Sequence, residues 1–538
     1  MMNRRHFISY LAGTVGALWF LNSCKNKATV SYKTSWLSDN GAFGHMIRDP
    51  HFPQPSSEIR IPVLIAGGGV SGLSAARELV KNNRNDFLML ELNHITGGNA
   101  ISGQNEISAF PWAAHYLPFP NNSNTELLNF LKEENIITSF DTQGLPVYNE
   151  TYICHEPAER LYLHHKWQDG LVPEYALDTN DKKDIDRFFR DMDNYRRMKG
   201  SDGKYVFEIP LAAASTDDFT ELDSKTMTVY LHEKGYKSPY LHWYVDYCCR
   251  DDYGSPAHMT SAFAGIHYFA SRRGQSASAE RNSVLTWPEG NHFLVKKMEK
   301  YVAGKVMHNQ LVYSITKKGN GIVCEAYHVV NKTTTRFICD QLLFCLPYNT
   351  AKYILEPSIC KVPETPPVHN WPWAVANIRL KAFEQERGQP LSWDNVIYSE
   401  NALGYINNCH QLIRQHDPYY NFTFYKNILG ATATEARRKA REMTKEQLVS
   451  DILQELQLAH PRITESIEEI VVKVWGHGMV SPYPSYLSRV KPTLIKSIDD
   501  RIYFAHTDLS GISIFEEAFY QGRNAAEMLL KQKSDSVV

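Results

Sequence analysis

The spacing of apolar positions changes several times along the chain, and each change predicts an element. Pro62-Val63-Leu64-Ile65-Ala66 is short and continuously apolar, the pattern of a strand buried within a parallel sheet. Leu73-Ser74-Ala75-Ala76-Arg77-Glu78-Leu79-Val80 sets small and apolar residues at helical spacing. Phe87-Leu88-Met89-Leu90 is a second strand, closed by the acid Glu91. Further strands are predicted at 310–315, 341–346, 374–379 and 501–505, and a helix over 513–530. One apolar stretch approaches membrane length, Phe7 to Leu21, so a polytopic membrane protein is excluded. Residues 25–57 are polar, with several Pro and Gly, and read as a linker.

The punctuation between the first two strands carries chemistry. Gly67-Gly68-Gly69-Val70-Ser71-Gly72 fits GxGxxG, directly after a strand and before a helix, and Glu91 ends the next strand. Gly67 permits the tight turn, Gly69 lets a pyrophosphate approach the backbone at the positive end of the helix, and Gly72 lets helix and strand pack closely. Glu91 would accept both ribose hydroxyls, and its charge would repel a 2′-phosphate. A lone glycine motif is weak; strand, glycines, helix, strand and acid together predict a dinucleotide site.

Composition narrows what surrounds that site. The chain has 538 residues, 43% hydrophobic and 22% charged, with 30 Tyr, 24 Phe and 10 Trp, which excludes a mostly disordered protein. Its net charge is −2, so nothing attracts a polyanion and no nucleic-acid partner is expected. A Lys/Arg-rich helix from Glu435 reads as a solvated face. Of nine Cys, no two have CxxC spacing, so no metal site is expected. Most read as buried small hydrophobes; the adjacent Cys248 and Cys249 leave a redox pair open.

The N-terminus reads as an address. Asn3-Arg4-Arg5-His6-Phe7-Ile8 resembles the twin-arginine export signal, and Leu21-Asn22-Ser23-Cys24 looks like a bacterial lipobox. Residues 1–24 would then be a processed signal, with acylated Cys24 tethering a periplasmic or cell-surface body to a membrane surface. The alternative is a short signal anchor retained as a helix.

Several motifs extend the dinucleotide reading. Gly97-Gly98-Asn99 comes six residues after Glu91. Near the C-terminus, His506-Thr507-Asp508 follows a strand and precedes a helix. Between them lie Trp287-Pro288-Glu289-Gly290, the strand carrying Val312, and an apolar strand ending in Leu346-Pro347. This arrangement resembles the flavin-containing amine oxidoreductase superfamily, which includes monoamine and polyamine oxidases, protoporphyrinogen oxidase and carotenoid desaturases. The resemblance covers about residues 60–120, 280–350 and 465–535. It implies an FAD site in which Gly97, Gly98 and Asn99 lie along the pyrophosphate and Val312 touches adenine. Asp508 would bind flavin-side hydroxyls or phosphate, and the backbone at Ile514 and Phe515 would point at the isoalloxazine. Asn99 stands where the family usually has Arg, and His506 where it has Gly.

The expected fold is α/β: a Rossmann-like FAD-binding domain assembled from residues 58–120, 276–347 and 466–538, with an inserted mixed α+β substrate domain from 121–275 and 348–465. Both insertions are rich in Tyr, Trp and His, which suits either a pocket wall or a core. Ala113-Ala114-His115-Tyr116 follows the first FAD segment, where the family lines the flavin. Asp251 or Asp252, set among aromatics, would hold a cationic amine; a solvated loop or an Arg pair explains them equally. Trp475 and Tyr483 are the aromatics expected before the flavin ring. The resemblance also implies a Lys near the reactive flavin nitrogen; Ala376 or Asn377 stands at the expected point, so oxygen as electron acceptor is in question and the acceptor stays unidentified. The reading is an FAD-dependent oxidoreductase of a small amine or polyamine. A polyene or tetrapyrrole desaturase or isomerase, and a non-catalytic flavin-binding accessory protein, are the alternatives.

Overall fold

Val63–Ala66 is buried along its whole length because it is covered on both faces. Val63 and Ile65 join a core built with the helices Val70–Lys81 and Phe515–Asp535, while Leu64 and Ala66 turn to the opposite side. The structure is a computed structural model that describes residues 31–535 apart from 218, 320, 363–367, 384–387, 401–402 and 414–417. The strand sits inside a six-stranded sheet, in the order Val306–Met307, Phe87–Leu90, Val63–Ala66, Gln341–Phe344, Ile502–Phe504 and Ser497–Ile498. Its first five strands are parallel, and the last pairs antiparallel. A four-stranded sheet led by Gln310–Lys318 packs its apolar residues against Leu64, Ala66 and Leu90.

Two glycines fix the helix geometry. Gly67 has φ +104°, and a Cβ there would lie 2.7 Å from the Cys345 carbonyl oxygen. A Cβ on Gly72 would lie 2.0 Å from the Gly67 oxygen, so only glycine lets the helix approach its own strand. The C-terminal helix lies along this first helix, and Ser74 Oγ donates to the Phe519 carbonyl at 2.7 Å.

An eight-stranded sheet forms the second half. Its central strand, Asn370–Leu380, lies between Ile467–Val480 and Tyr420–Asn427, antiparallel to both. Successive side chains point to opposite faces. Ala374, Ala376 and Ile378 pack on the helix Lys445–Ala459, whereas Trp373 and Val375 face the helices Pro239–Tyr253 and Ala262–Ala270. Ile467–Val480 thus belongs to this sheet, although its position in the sequence grouped it with the dinucleotide domain.

The stretch 25–57, read as a linker, differs from that expectation where it is described. Lys33–Trp36 pairs in parallel with Glu469–Val472, and Gly41–Arg48 forms a 3-10 helix with Ile47 buried. Ser57–Arg60 pairs with Thr335–Ile338. The polar composition conceals this because an edge strand needs only its backbone hydrogen bonds and a few apolar contacts. Arg4, Arg5 and Cys24 lie outside the described residues. Among the described residues no helix is long and apolar enough to cross a membrane.

Candidate active site

The crevice at the carboxyl ends of the parallel strands is the expected ligand position in such a sheet. Here it opens into a cavity of about 380 Å³. Gly67, Gly69, Val70, Ser71, Glu91, Gly97, Gly98, Asn99, Val312, Ile514 and Phe515 all line it. The glycine loops meet across it: Gly97 N donates to the Gly68 carbonyl at 2.8 Å, and a Cβ on Gly69 would have no neighbour nearer than Gly98 Cα at 3.9 Å. That open ground beside the N-terminus of Val70–Lys81 is where a diphosphate would sit. Gly72 packs beneath, out of the lining.

Glu91 is buried and already accepts from Gly68 N and Asn93 N, each at 2.8 Å. Burial pushes its carboxyl up, against backbone N–H groups that favour the charged form. Two acceptor oxygens leave further lone pairs for hydroxyl donors. Gln310 Oε1 and Asn370 Oδ1, both buried and on residues in this wall, have no hydrogen-bond partner among the described residues. A long cradle with an acid at one end, a bare glycine floor and orphaned acceptors fits a dinucleotide.

One cofactor assignment is corrected by the geometry. Asp508 is fully buried behind the wall, its carboxylate accepting from Tyr348 N at 2.9 Å and Asn370 Nδ2 at 3.2 Å, with His506 Nδ1 3.1 Å away. His506 and Thr507 line the cavity instead. The His506 contact, above all, holds the Asp508 carboxyl below the usual range despite burial. Asn99, in place of a cation, gives its amide to the Gly478 carbonyl at 2.6 Å. It ties the glycine loop to the eight-stranded sheet.

A second cavity, about 140 Å³, adjoins the first and shares Asn99, Ala114, Gly478, Ser513, Ile514 and Phe515 with it. Trp373, Trp475, Tyr116 and Tyr425 are among its walls. Asp251 faces into it from the last turn of Pro239–Tyr253. That helix ends at Gly254, φ +66°, where a Cβ would lie 2.8 Å from Trp373 Nε1; only glycine lets the helix end seat against Trp373. Asp252 is engaged by Arg272 at 2.6 Å, but no hydrogen bond or ion pair with a described residue holds the Asp251 side chain. Burial, with the negative charge of Asp252, pushes the Asp251 carboxyl up to about 7. Burial likewise raises Glu516, in the same wall, to about 7. His115 Nδ1 lies 3.1 Å from the Ala113 carbonyl, so Nδ1 carries the hydrogen, and burial lowers the ring to about 4.

The remaining catalytic candidates divide. Trp475 is in the wall, its Nε1 donating to the Trp112 carbonyl at 2.7 Å. Asn377 is not. It shares a strand face with Trp373 but lies four residues further on, about 13 Å along the strand. Its amide donates to Asn421 Oδ1 at 2.6 Å and the Phe422 carbonyl at 3.3 Å. Tyr483 is not in the wall either; it stacks on His369 with ring centroids 4.4 Å apart. Tyr425, Arg272 and Glu516 escaped sequence reasoning. Tyr425 enters only through its register opposite Val375, whereas Glu516 had a usable signal, an acid beside Ile514 and Phe515 at a helix start. Cys248 and Cys249 are buried and unpaired, and burial pushes both thiols well up, so neither is a reactive thiolate.

Fold and site define the class: a mixed α/β protein whose dinucleotide cradle opens onto an aromatic chamber. The chain matches the model of the flavin containing amine oxidoreductases over residues 70–530 and belongs to that family. It is an FAD-dependent oxidoreductase. The fold is shared with a putrescine oxidase solved with putrescine bound, at 15% identity and TM-score 0.62, covering 88% of this chain and 100% of that one. It is shared with cyclohexylamine oxidase from Brevibacterium oxydans IH-35A, at 14% identity and TM-score 0.61, covering 88% and 99%. A protein from Exiguobacterium sp. 255-15, provisionally named protoporphyrinogen oxidase, matches at 12% identity and TM-score 0.58, covering 89% and 100%. A search of curated proteins matched nothing.

Proposed function

We propose that the protein oxidises a small amine that arrives as a cation, polyamines included. The observation that carries this reading is Asp251, a carboxyl that no hydrogen bond or ion pair with a described residue holds, with Arg272 and Arg250 acting on it only from a distance, facing an aromatic chamber that continues into the cofactor cavity. A polyene or tetrapyrrole would meet a chamber of about 140 Å³, too small for a macrocycle, and a carboxylate it could not pair. FAD, when bound, supplies the hydride acceptor and would be held by the glycine loops, Glu91, Val312 and the backbone at Ile514 and Phe515.

The chain's own residues then bind, orient and move a proton. Asp251 pairs with the ammonium, and the aromatic walls exclude water and fix the carbon next to nitrogen. An amine must shed its extra proton before that carbon can lose hydride. The Asp251 carboxylate, at about 7, is a better matched acceptor than His115 at about 4. The strand Asn370–Leu380 carries no Lys, and Trp373 occupies the chamber wall there. This absence favours a carrier over oxygen as electron acceptor. We also propose export by the twin-arginine route, with acylated Cys24 as the membrane tether; Arg4, Arg5 and the Leu21–Cys24 segment support this.

The test is anaerobic bleaching of the bound flavin by a panel of monoamines, diamines and polyamines. Reoxidation is then timed with oxygen and with an artificial electron acceptor. If no amine bleaches the flavin, the amine reading fails and the accessory-protein alternative takes its place.

A further inference from the structure

The segment before the first dinucleotide strand touches both halves of the active site. Lys33–Trp36 runs beside Ile467–Val480, and Leu37 N donates to the Val472 carbonyl at 2.8 Å, continuing that pairing. Asp39 then forms an ion pair with Lys473, the two side chains only 15% and 7% exposed. Lys473 in turn lies 3.9 Å from the ring centroid of Trp475, a wall of the chamber. At the other cavity, Asn40 donates three hydrogen bonds. Its N donates to Asn93 Oδ1 at 2.9 Å, and its Nδ2 donates to the Leu92 carbonyl at 2.9 Å and Asn309 Oδ1 at 2.8 Å. Leu92 and Asn93 directly follow Glu91, and Asn309 directly precedes the strand bearing Val312. Glu91 and Val312 would mark the adenosine end of the cradle. Beyond Asn40, Gly44 and Ile47 line the cofactor cavity itself, and Ile47 packs in one cluster with Leu90, Leu311 and Val312.

We infer that residues 39–47 are a fourth segment of the cofactor site, latched across its adenosine end by Asp39 and Asn40, so that FAD exchanges only when this strap lifts. The strap lines the same cavity as Glu91 and Val312, and it is fastened to chain neighbours of the two residues that would flank the adenosine. Its attachments are few, the polar pins of Asp39 and Asn40 and the one buried apolar side chain Ile47, so they can open without unfolding the sheet to which residues 33–37 are paired. Asp39 and Asn40 are positioning residues: they hold the strap, and Gly44 and Ile47 meet the ligand.

The proposal is tested on the detergent-solubilised full chain by stopped-flow measurement of FAD release and rebinding, with flavin fluorescence as the signal. Asn40→Ala removes two pins and should speed release about tenfold. Asp39→Asn should speed it about fivefold, and Asp39→Glu should restore the slow rate. Because a lifted strap opens the path both ways, rebinding to the variants should be faster as well; general damage to the site would slow it. Hydrogen exchange on the unmutated protein gives a second measure, in which amides of 39–47 should slow on adding FAD. Release within twofold of wild type in both variants, faster release with slower rebinding, or exchange at 39–47 unchanged by FAD would each overturn the proposal. None of these measurements depends on the substrate being an amine.

Discussion

Replacing Asp251 by Asn tests the substrate reading most directly, because size and shape are kept and only the charge is lost. The Asp251 carboxyl sits at about 7 instead of 3.8, so its surroundings disfavour the charged form by roughly 4 kcal/mol. A cation entering the chamber relieves that penalty. Breaking a fully buried pair costs about 3–5 kcal/mol. The chamber side of Asp251 is open to ligand, and Arg272 already lends some positive charge, so a charged hydrogen bond worth about 1.5–3 kcal/mol is the better guide. Asp251→Asn should therefore weaken amine binding roughly 10- to 150-fold. The pH dependence follows in sign. Below about 7 the amine must displace a proton, so its dissociation constant should rise about tenfold per pH unit as pH falls. In the Asn variant this dependence should shrink to what Glu516, also at about 7, contributes, and Glu516→Gln is the matching control. The assay is the amine concentration dependence of anaerobic flavin reduction between pH 5.5 and 9. Stability moves the other way. A carboxyl raised on folding stabilises at low pH and loses that contribution as pH rises through about 7, so the apo Asn variant at pH 8 should melt no lower than wild type. An Asp251→Asn enzyme with wild-type amine affinity and pH profile would refute the reasoning.

Four other outcomes are expected. Glu91→Ala should weaken FAD binding on the order of tenfold to a few hundredfold, and Glu91→Gln only modestly; a folded Glu91→Ala variant with unchanged affinity would remove Glu91 from the ribose site. Gly69→Ala should fold with near-normal apo stability because its Cβ meets nothing closer than 3.9 Å, yet bind FAD poorly, whereas Gly72→Ala should fail to fold because its Cβ would lie 2.0 Å from the Gly67 oxygen; circular dichroism and flavin titration separate the two. Buried, neutral His267 and His460 are pushed down to about 3, so the stability they lend above about 6.5 should be lost as pH falls toward 3, and His267→Gln should flatten the melting profile over that range. Arg4→Lys with Arg5→Lys should retain the protein in the cytoplasm, and Cys24→Ala should release it from the membrane fraction; unchanged fractionation of the latter would point to a retained anchor helix.

The cofactor half was legible because its chemistry is local. A strand, a glycine turn and a helix start are set by neighbours within a dozen residues, and Gly67, Gly69, Glu91 and Gly97 lie where their spacing places them. Asp508 misled because a short side chain after a strand can turn toward ligand or wall, and its choice rests on Tyr348 and Asn370, each more than a hundred residues away.

The chamber was legible only as a composition. Aromatics and acids are visible in the insertions, but a one-residue change of strand register moves a side chain to the opposite face, and four residues carry it out of reach. Hence Trp373 lines the chamber while Asn377 does not, and Tyr425 enters unannounced opposite Val375. The strap shows the same limit from the other side. Polar, Pro- and Gly-bearing sequence lacks the apolar period that marks an element, yet Asp39 and Asn40 find Lys473 and Asn309 hundreds of residues away. Local backbone preference and hydrophobic period are properties of short segments, so the dinucleotide unit could be read from them. Which carboxyl faces the chamber with no hydrogen bond from a described residue, and which loop lines the cradle, depend on long-range pairing and burial that exist only once the sheets have assembled.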